Sequence, residues 1–257
     1  FRNEVNLGPV RNWIRCIELS KGKYGKILFS DDQMRPEFLS RTVPLLEDNG
    51  VGFVFTATQI GKIADSGSIN YRWKTGDAVV ESTEFIMDSL FNPGNKLPVS
   101  PGCAIFRIRD LRKNLLVEIP SPTLSDFASY GAGNDLLIYL LTAKDYPKVA
   151  YIHEPLSFFL DHSGSISISD GGRMLGKRYT QARIYFSNTY LEPVITQRLL
   201  IKVWYSTRTR WKKGVKREKL FESFLDPVPY MSPFFVFKEV AELGFYRIKN
   251  KIRKHMA

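Results

Sequence analysis

The chain has 257 residues, of which 44% are hydrophobic and 25% charged, a composition that fits one large or two small globular domains and excludes a disordered chain. No stretch approaches the roughly 18 consecutive apolar residues that a membrane-spanning helix needs. The net charge of +11 is concentrated near the end, because residues 198–257 hold 15 Lys and Arg against 5 Asp and Glu.

The first half of the chain alternates helical and extended patterns. A helix is predicted to begin at Pro9, which suits a first helical turn, and to end at Gly22. The next predicted elements are a strand at 26–29, a helix at 36–50 and a buried strand at 51–58. This alternation indicates an α/β layer with a parallel core.

In the second half, the sequence pattern changes near residue 170 from mixed helical and extended segments to helical periodicity alone. The predicted elements are a hairpin within 60–82, a helix at 81–91, a strand at 103–108, a helix at 135–146 and an extended segment at 148–169. Everything after Asp170 has helical periodicity. We therefore predict a domain at 1–169 and a helical basic region at 170–257.

The cysteines and histidines are few. Cys16 and Cys103 lie far apart in the sequence and are predicted to be reduced thiols, buried as small hydrophobic side chains in a cytoplasmic protein. The three histidines are too scattered for a zinc cluster.

Two adjacent carboxylates, Asp31 and Asp32, follow the predicted strand at 26–29. The C-terminal ends of strands in an α/β sheet point to the crevice where such sheets bind ligands. Mg²⁺ and Mn²⁺ prefer oxygen ligands, and Mg²⁺ is usually held by one or two carboxylates together with substrate phosphates. The alternative is a solvated turn in which an aspartate caps the next helix. The pattern alone leaves both interpretations open.

Two further candidates lie in the second half. Asp135 follows Gly131 and Gly133 and opens a predicted helix, so it is either a general base or a simple helix cap. His162, in the loop sequence DHSGSIS, either completes a metal site or is an ordinary surface residue.

The basic C-terminal region, residues 198–257, mixes aromatic residues with Lys and Arg. Such a pattern fits a nucleic acid backbone, an anionic membrane surface or a solvated face of packed helices. The apolar sequence PFFVF at 233–237, beside a basic helix end, favours the membrane. No motif of a known nucleic-acid-reading module is present, so we expect no nucleic acid partner.

Taken together, these segments resemble a bacterial family 2 glycosyltransferase with a GT-A fold, a Rossmann-like mixed sheet flanked by helices. Four segments carry the resemblance: NLGPVRNWIRCIELSKGKYGKILFSDDQMRP (6–36), SPGCAIFRI (100–108), GAGNDLLIYLL (131–141) and VAYIHEPLSFFLDHSGSIS (149–167). They follow in the family's order across roughly residues 1–167, and the first segment is the most specific.

The resemblance implies a role for each candidate. Ser30-Asp31-Asp32 matches the family's aspartate metal motif, with Ser30 where many members have an acidic residue. Asp32 and His162 would then hold Mg²⁺ or Mn²⁺, and Asp31 would lie beside the sugar or ribose. The resemblance further places Arg11 and Asn12 near the nucleotide.

The resemblance also implies that Asp135 is the catalytic base of an inverting transfer. The donor would be a nucleotide-diphosphate sugar, and the acceptor a glycan or lipid-linked hydroxyl in cell-surface polysaccharide synthesis. The basic region adds the expectation of a cytoplasmic protein, peripheral at the inner face of the cell membrane. Family members begin with a strand and a turn that hold the nucleotide base, so we expect this chain to lack that N-terminal portion.

Two other functions remain open from the sequence. The chain could be a non-catalytic fragment of such a fold that binds membrane or nucleic acid. It could also be a nucleotidyltransferase on a similar sheet, which would need a Gly-rich phosphate-binding start that the sequence does not contain.

Overall fold

The computed structural model describes residues 2–64, 66–92, 94–123, 126–162, 164, 173–210 and 216–255. The chain divides into two compact units. The first comprises Phe1–Ile119 and Asp126–Ala182, and the second comprises Pro120–Ser125 and Arg183–Ala257. The units thus divide between Ala182 and Arg183, whereas the domain boundary predicted from the sequence lies at 169/170.

The first unit contains a sheet and its flanking helices. The helices are α1 (Gly8–Leu19), α2 (Phe38–Leu46), α3 (Ser82–Phe91), α4 (Ile108–Asn114), α5 (Asn134–Asp145) and the beginning of α6 (Arg173–Tyr190). The strands are β1 (Tyr24–Gly25), β2 (Gln33–Met34), β3 (Val51–Gly61), β4 (Ser68–Asn70), β5 (Ala78–Glu81), β6 (Ala104–Arg107) and β7 (Lys148–Leu160).

The seven described strands form one mixed sheet with the order β1-β6-β3-β7-β2. Strands β3 and β7 pair in parallel, with Val54 beside Ala150. The other described pairings are antiparallel, including β4 on β3. The hairpin expected within 60–82 therefore begins earlier, because its first strand is the end of β3 at Thr58–Ile60. The predicted α/β class with a mixed sheet is confirmed, and the parallel core is limited to the β3–β7 pair.

Strand β3 separates two apolar layers, because successive side chains of a strand point to opposite faces of the sheet. On one face Phe53 contacts Phe85 of α3 and Tyr139 of α5, with ring centroids 5.1 Å apart in each pair. On the other face Val54 packs in a cluster with Phe38 of α2. Burial on both faces explains why β3 begins with a continuous apolar run, VGFVF, and not an alternating one.

The strand predicted at 26–29 is wrong. Only Tyr24 and Gly25 pair with β6, and the chain from Lys26 to Phe29 runs outside the sheet. Leu28 is half exposed, and the ring of Phe29 lies 5.6 Å from that of Trp13 on α1. The apolar run was therefore read correctly as apolar, but it lines a cavity and does not extend the sheet.

Two smaller predictions also need correction. Helix α1 ends at Leu19, before the predicted stop at Gly22, because the chain is already extended at Ser20. Cys103 is buried as expected, whereas Cys16 is exposed on α1.

The part of the predicted extended segment beyond Leu160, at 163 and 165–169, lies outside the described residues.

The second unit is helical, as the periodicity after Asp170 predicts. Its described elements are the remainder of α6, α7 (Pro193–Arg210), α8 (Arg217–Glu222) and α9 (Pro233–His255). Helices α7 and α9 are joined by an ion pair in which Arg198 Nε lies 2.9 Å from Glu239 Oε1. Among the helices described in either unit, none has the length and apolar character needed to cross a membrane.

Candidate active site

A cavity of about 890 Å³ lies within the first unit. Its walls come from α1, the irregular segment 26–32, the start of α5, the end of β7 and the beginning of α6. Five of the six site residues predicted from the sequence line it: Asn12, Asp31, Asp32, Asp135 and His162. Arg11 is exposed on α1 and is not among the described lining residues.

Asp31 and His162 meet directly although 131 positions separate them. The chain turns at Phe29, whose carbonyl accepts from the backbone N–H of Asp32 at 3.2 Å. This turn brings the Asp31 carboxylate to the segment that follows β7, where Asp31 Oδ2 lies 2.8 Å from His162 Nε2. Both side chains are about 40% exposed, at 39% and 40%, so the pair is open to a ligand in the cavity.

The Asp32 carboxylate is held by the backbone N–H of Leu160, which donates to Oδ1 at 3.2 Å. Burial raises the pKa of the Asp32 carboxyl to about 6, and the neighbouring charge of Asp31 adds to the increase. The Leu160 N–H, Lys26 and His162 oppose that shift only in part. The negative charge of Asp32 is therefore incompletely balanced within the protein.

Lys26 is a cavity residue that the sequence reading missed. Its ammonium donates to the carbonyl of Gly102 and lies 4.3 Å from the ring centre of Phe38. Burial lowers the pKa of Lys26 to about 8, and the charge of Asp32 partly counters this effect. The available signal was a lysine inside the apolar run YGKILF, which points to a buried cation or an exposed strand edge.

Asp135 lies in the first turn of α5 and is 7% exposed. Its Oδ1 accepts from the backbone N–H groups of Gly133 at 2.8 Å and Leu136 at 2.7 Å. Its Oδ2 accepts from the Tyr179 hydroxyl of α6 at 2.7 Å. One oxygen thus binds the start of the helix, as a cap would, and the residue also lines the cavity, while the general-base role stays a prediction.

The turn before Asp135 depends on glycine. Gly131 and Gly133 have φ angles of +70° and +96°, in the left-handed region that disfavours side chains. A Cβ atom on Gly131 would lie 2.6 Å from the Trp13 ring in the cavity wall. The two glycines before Asp135 are visible in the sequence, but nothing in the sequence indicates that Tyr179 contacts the carboxylate.

A divalent cation is a chemically reasonable ligand for the acidic side of the cavity. The structure has no group of three or more His, Cys, Asp and Glu side chains preassembled around a metal position within its described ranges. Asp31, Asp32 and His162 nevertheless offer carboxylate oxygens and an imidazole nitrogen, and the charge of Asp32 needs a counter-charge. This donor set fits an ion whose remaining ligands are substrate phosphates and water.

Comparison with known proteins gives a family and a fold. Residues 1–115 match the sequence model of the family described as glycosyl transferase family 2. No curated protein sequence matches the chain.

Solved structures of S. aureus TarS are similar in fold. The complex of TarS 1–349 with UDP-GlcNAc is 14% identical, with a TM-score of 0.53, and the match covers 86% of this chain and 62% of that one. The complex of TarS 1–349 with UDP is 13% identical with a TM-score of 0.54, covering 86% and 61%. A longer TarS structure is 14% identical with a TM-score of 0.54, covering 86% and 37%.

The chain thus spans about three fifths of the TarS 1–349 chain that it matches. At this identity the structural likeness establishes the fold alone, which is the GT-A-like arrangement of a mixed sheet flanked by helices. The sequence match adds a similarity to one family for residues 1–115, the segment that contains α1, Asp31 and Asp32. Residues 1–115 are therefore similar in sequence to glycosyl transferase family 2.

Proposed function

We propose that this chain transfers a sugar, with inversion, from a nucleotide-diphosphate donor to a hydroxyl acceptor. The observation that carries the proposal is one cavity lined by Asp135, by the Asp31–His162 pair and by Asp32. The match of residues 1–115 to glycosyl transferase family 2 supports the reaction class. The similar S. aureus structures, bound to UDP-GlcNAc and UDP, support a nucleotide sugar as the donor class.

The donor side of the proposed site is the acidic side of the cavity. Asp32 and His162 would hold Mg²⁺ or Mn²⁺, and Asp31 would lie beside the sugar or ribose. Such a cation, when bound, offsets the charge of the diphosphate leaving group. Asn12 lines the same cavity and would contact the nucleotide, together with Arg11 on the neighbouring surface of α1.

Asp135 is the proposed general base. Because Oδ1 is held by two backbone N–H groups and Oδ2 by Tyr179, the orientation of the carboxylate is fixed. A carboxylate oxygen has two lone pairs, so Oδ2 can accept the proton of an acceptor hydroxyl beside the tyrosine contact. Removal of that proton lets the hydroxyl oxygen attack the anomeric carbon from the face opposite the leaving diphosphate.

The acceptor would be a glycan or lipid-linked hydroxyl of a cell-surface polysaccharide. The support for this acceptor is the charge of residues 198–257, whose excess of Lys and Arg suits the anionic inner leaflet of a cell membrane. The protein would then work in the cytoplasm, peripherally attached to that leaflet.

Asp135→Asn tests the base assignment. Loss of the basic oxygen should lower kcat for transfer by roughly 10²–10⁴-fold, because general-base catalysis contributes about that factor. Donor affinity, measured by calorimetry, should change less than about twofold, since the amide keeps the size of the carboxyl group.

The matched control is Asp145→Asn at the other end of α5, where the carboxylate pairs with Lys113 and Lys144 outside the cavity. It should leave transfer unchanged. Equal transfer by Asp135→Asn and the unaltered chain would remove Asp135 from the chemistry. Donor binding without any transfer, for both proteins, would favour the non-catalytic fragment.

A further inference from the structure

Helix α9 has two apolar faces, although a surface helix usually has one. The first face packs within the second unit, where Val236 and Glu239 are each 7% exposed. Glu239 is paired there with Arg198 of α7. This inner face accounts for how α9 is held in the second unit, but not for the phenylalanines on the rest of its surface.

The outer face of α9 is an exposed aromatic stripe. Phe234, Phe237 and Phe245 are 77%, 72% and 72% exposed, and the exposed Ala241 lies between them. Their spacing of three, four and four residues keeps them on one side of the helix, because each residue advances about 100°. That side is opposite Val236 and Glu239.

The helix that carries this stripe has a net positive charge. Lys238 is exposed and by helical register lies beside the phenylalanine line, whereas the exposed Arg247 lies on the side of Val236. Residues 233–255 hold six Lys and Arg against two Glu, one of which is the buried Glu239. The helix therefore combines an apolar outer face with a net positive charge.

We propose that the outer face of α9 binds an anionic lipid bilayer, with the helix axis in the plane of the interface. Phe234, Phe237 and Phe245 insert between the acyl chains, while the neighbouring Lys238 contacts lipid phosphates. The inference deepens the proposed function and rests on it in one respect, because it names the surface through which the enzyme meets a lipid-linked acceptor.

The charge arrangement distinguishes this partner from two others. A nucleic acid backbone requires cations at the centre of the contact, whereas here the centre is apolar. A second copy of the same face would bring two helices of net positive charge together, and like charges at an interface oppose association. Anionic lipid fits both the apolar outer face and the net positive charge of the helix.

The test is flotation of the whole 257-residue chain with vesicles of phosphatidylcholine alone or with about one third phosphatidylglycerol. The chain should bind the mixed vesicles at least roughly 10-fold more tightly than the neutral ones. The triple variant F234S/F237S/F245S should lose at least roughly 100-fold in affinity for the mixed vesicles, and each single variant a part of that.

The matched control is L39S/I63S/V79S, which removes three exposed apolar side chains from the first unit and should float like the unaltered chain. Circular dichroism should give equal helix content for all variants, since the replaced side chains are exposed. The single variants keep the test decisive if the triple variant folds poorly.

Equal flotation of the triple variant, or equal binding to neutral and mixed vesicles, would overturn the proposal. A dimer that becomes a monomer only in the triple variant, without vesicle binding, would assign the face to self-association instead. Tighter binding to single-stranded RNA than to vesicles would overturn it in favour of nucleic acid. Flotation needs neither donor nor acceptor, so its failure leaves the transfer reaction untouched, and failure of Asp135→Asn leaves the membrane result untouched.

Discussion

At the scale of single residues, the ionised form of Asp32 destabilises the folded protein. Its folded-state pKa of about 6 lies above the ordinary aspartate value of 3.8, because burial and Asp31 disfavour the ionised carboxylate. A group whose pKa is raised on folding contributes stability below its unfolded pKa, and that contribution is lost as the pH rises through the folded value. Around neutral pH, the ionised Asp32 should therefore lower the free energy of unfolding. Such a cost is common where a ligand later supplies the missing charge.

Asp32→Asn should stabilise the chain at pH 7.5 and leave it unchanged at pH 3.5, when EDTA keeps divalent ions away. The gain should be on the order of 1 kcal/mol, since solvent screens a half-exposed charge. Urea unfolding across this pH range measures it. Glu18→Gln, on the exposed side of α1, serves as the control. A less stable Asp32→Asn at pH 7.5 would mean that Lys26 and the Leu160 N–H compensate fully.

At the scale of elements, the glycine turn before α5 places the proposed base. Gly133 has a φ of +96° and donates its N–H to Asp135, so backbone conformation and carboxylate position are coupled at one residue. A Cβ atom there would lie 2.6 Å from the Phe127 ring and 3.1 Å from the Arg178 carbonyl oxygen. The turn therefore excludes any side chain at this position for two independent reasons.

Gly133→Ala should lower the free energy of unfolding by at least about 2 kcal/mol and reduce transfer, because strain and the contact with Phe127 shift the start of α5. Chemical denaturation and donor turnover provide the measurements. Gly176→Ala, in α6 with open space around its Cβ position, should instead stabilise by up to about 1 kcal/mol. Similar behaviour of the two variants would contradict the role assigned to the turn.

The elements also separate what the sequence can predict from what it cannot. Helices α1, α3 and α5 and strands β3 and β6 follow from apolar periodicity and from Pro and Gly positions, which are local signals. The segment 26–29 has the same apolar character as a strand, yet it lines the cavity. Only long-range packing against Trp13 and Gly102 decides between these outcomes.

The residues of the candidate site also differ in how far the sequence alone identifies them. Asp31, Asp32, Asp135 and His162 could be identified from residue type, position and family resemblance, although their roles remain predictions. For Lys26 the lysine within the apolar run YGKILF was a weak local signal, whereas Tyr179 had none, since a tyrosine in a helix has no distinctive local pattern. Their contacts with Gly102 and Asp135 span 76 and 44 positions of the chain.

At the scale of the whole molecule, the proposed function implies linkage between donor binding and stability. Any ligand that binds only the folded chain raises its unfolding temperature. With Mn²⁺ present, at least one of UDP, GDP, CDP and ADP should raise that temperature by roughly 5–10 °C at 100 times its dissociation constant. Differential scanning calorimetry across this panel measures the effect.

The controls for that prediction are EDTA and Asp32→Asn, each of which should abolish the increase. The corresponding nucleoside monophosphates should give a smaller increase, because they lack the second phosphate. Equal increases with and without Mn²⁺ would show that the diphosphate binds without a cation, and no increase for any diphosphate would contradict the proposed donor class.

The second unit contains a short piece from the middle of the chain. Pro120–Ser125 belongs to this unit although both of its flanks belong to the first, and Thr123 Oγ1 donates to the Ser223 carbonyl at 2.8 Å. The polypeptide therefore passes between the two units three times: after Ile119, after Ser125 and after Ala182. A chimera that replaces the second unit with that of a relative must therefore exchange both Pro120–Ser125 and the region after Ala182. A chimera with a single junction near residue 182 would combine the new C-terminal region with the original 120–125 segment.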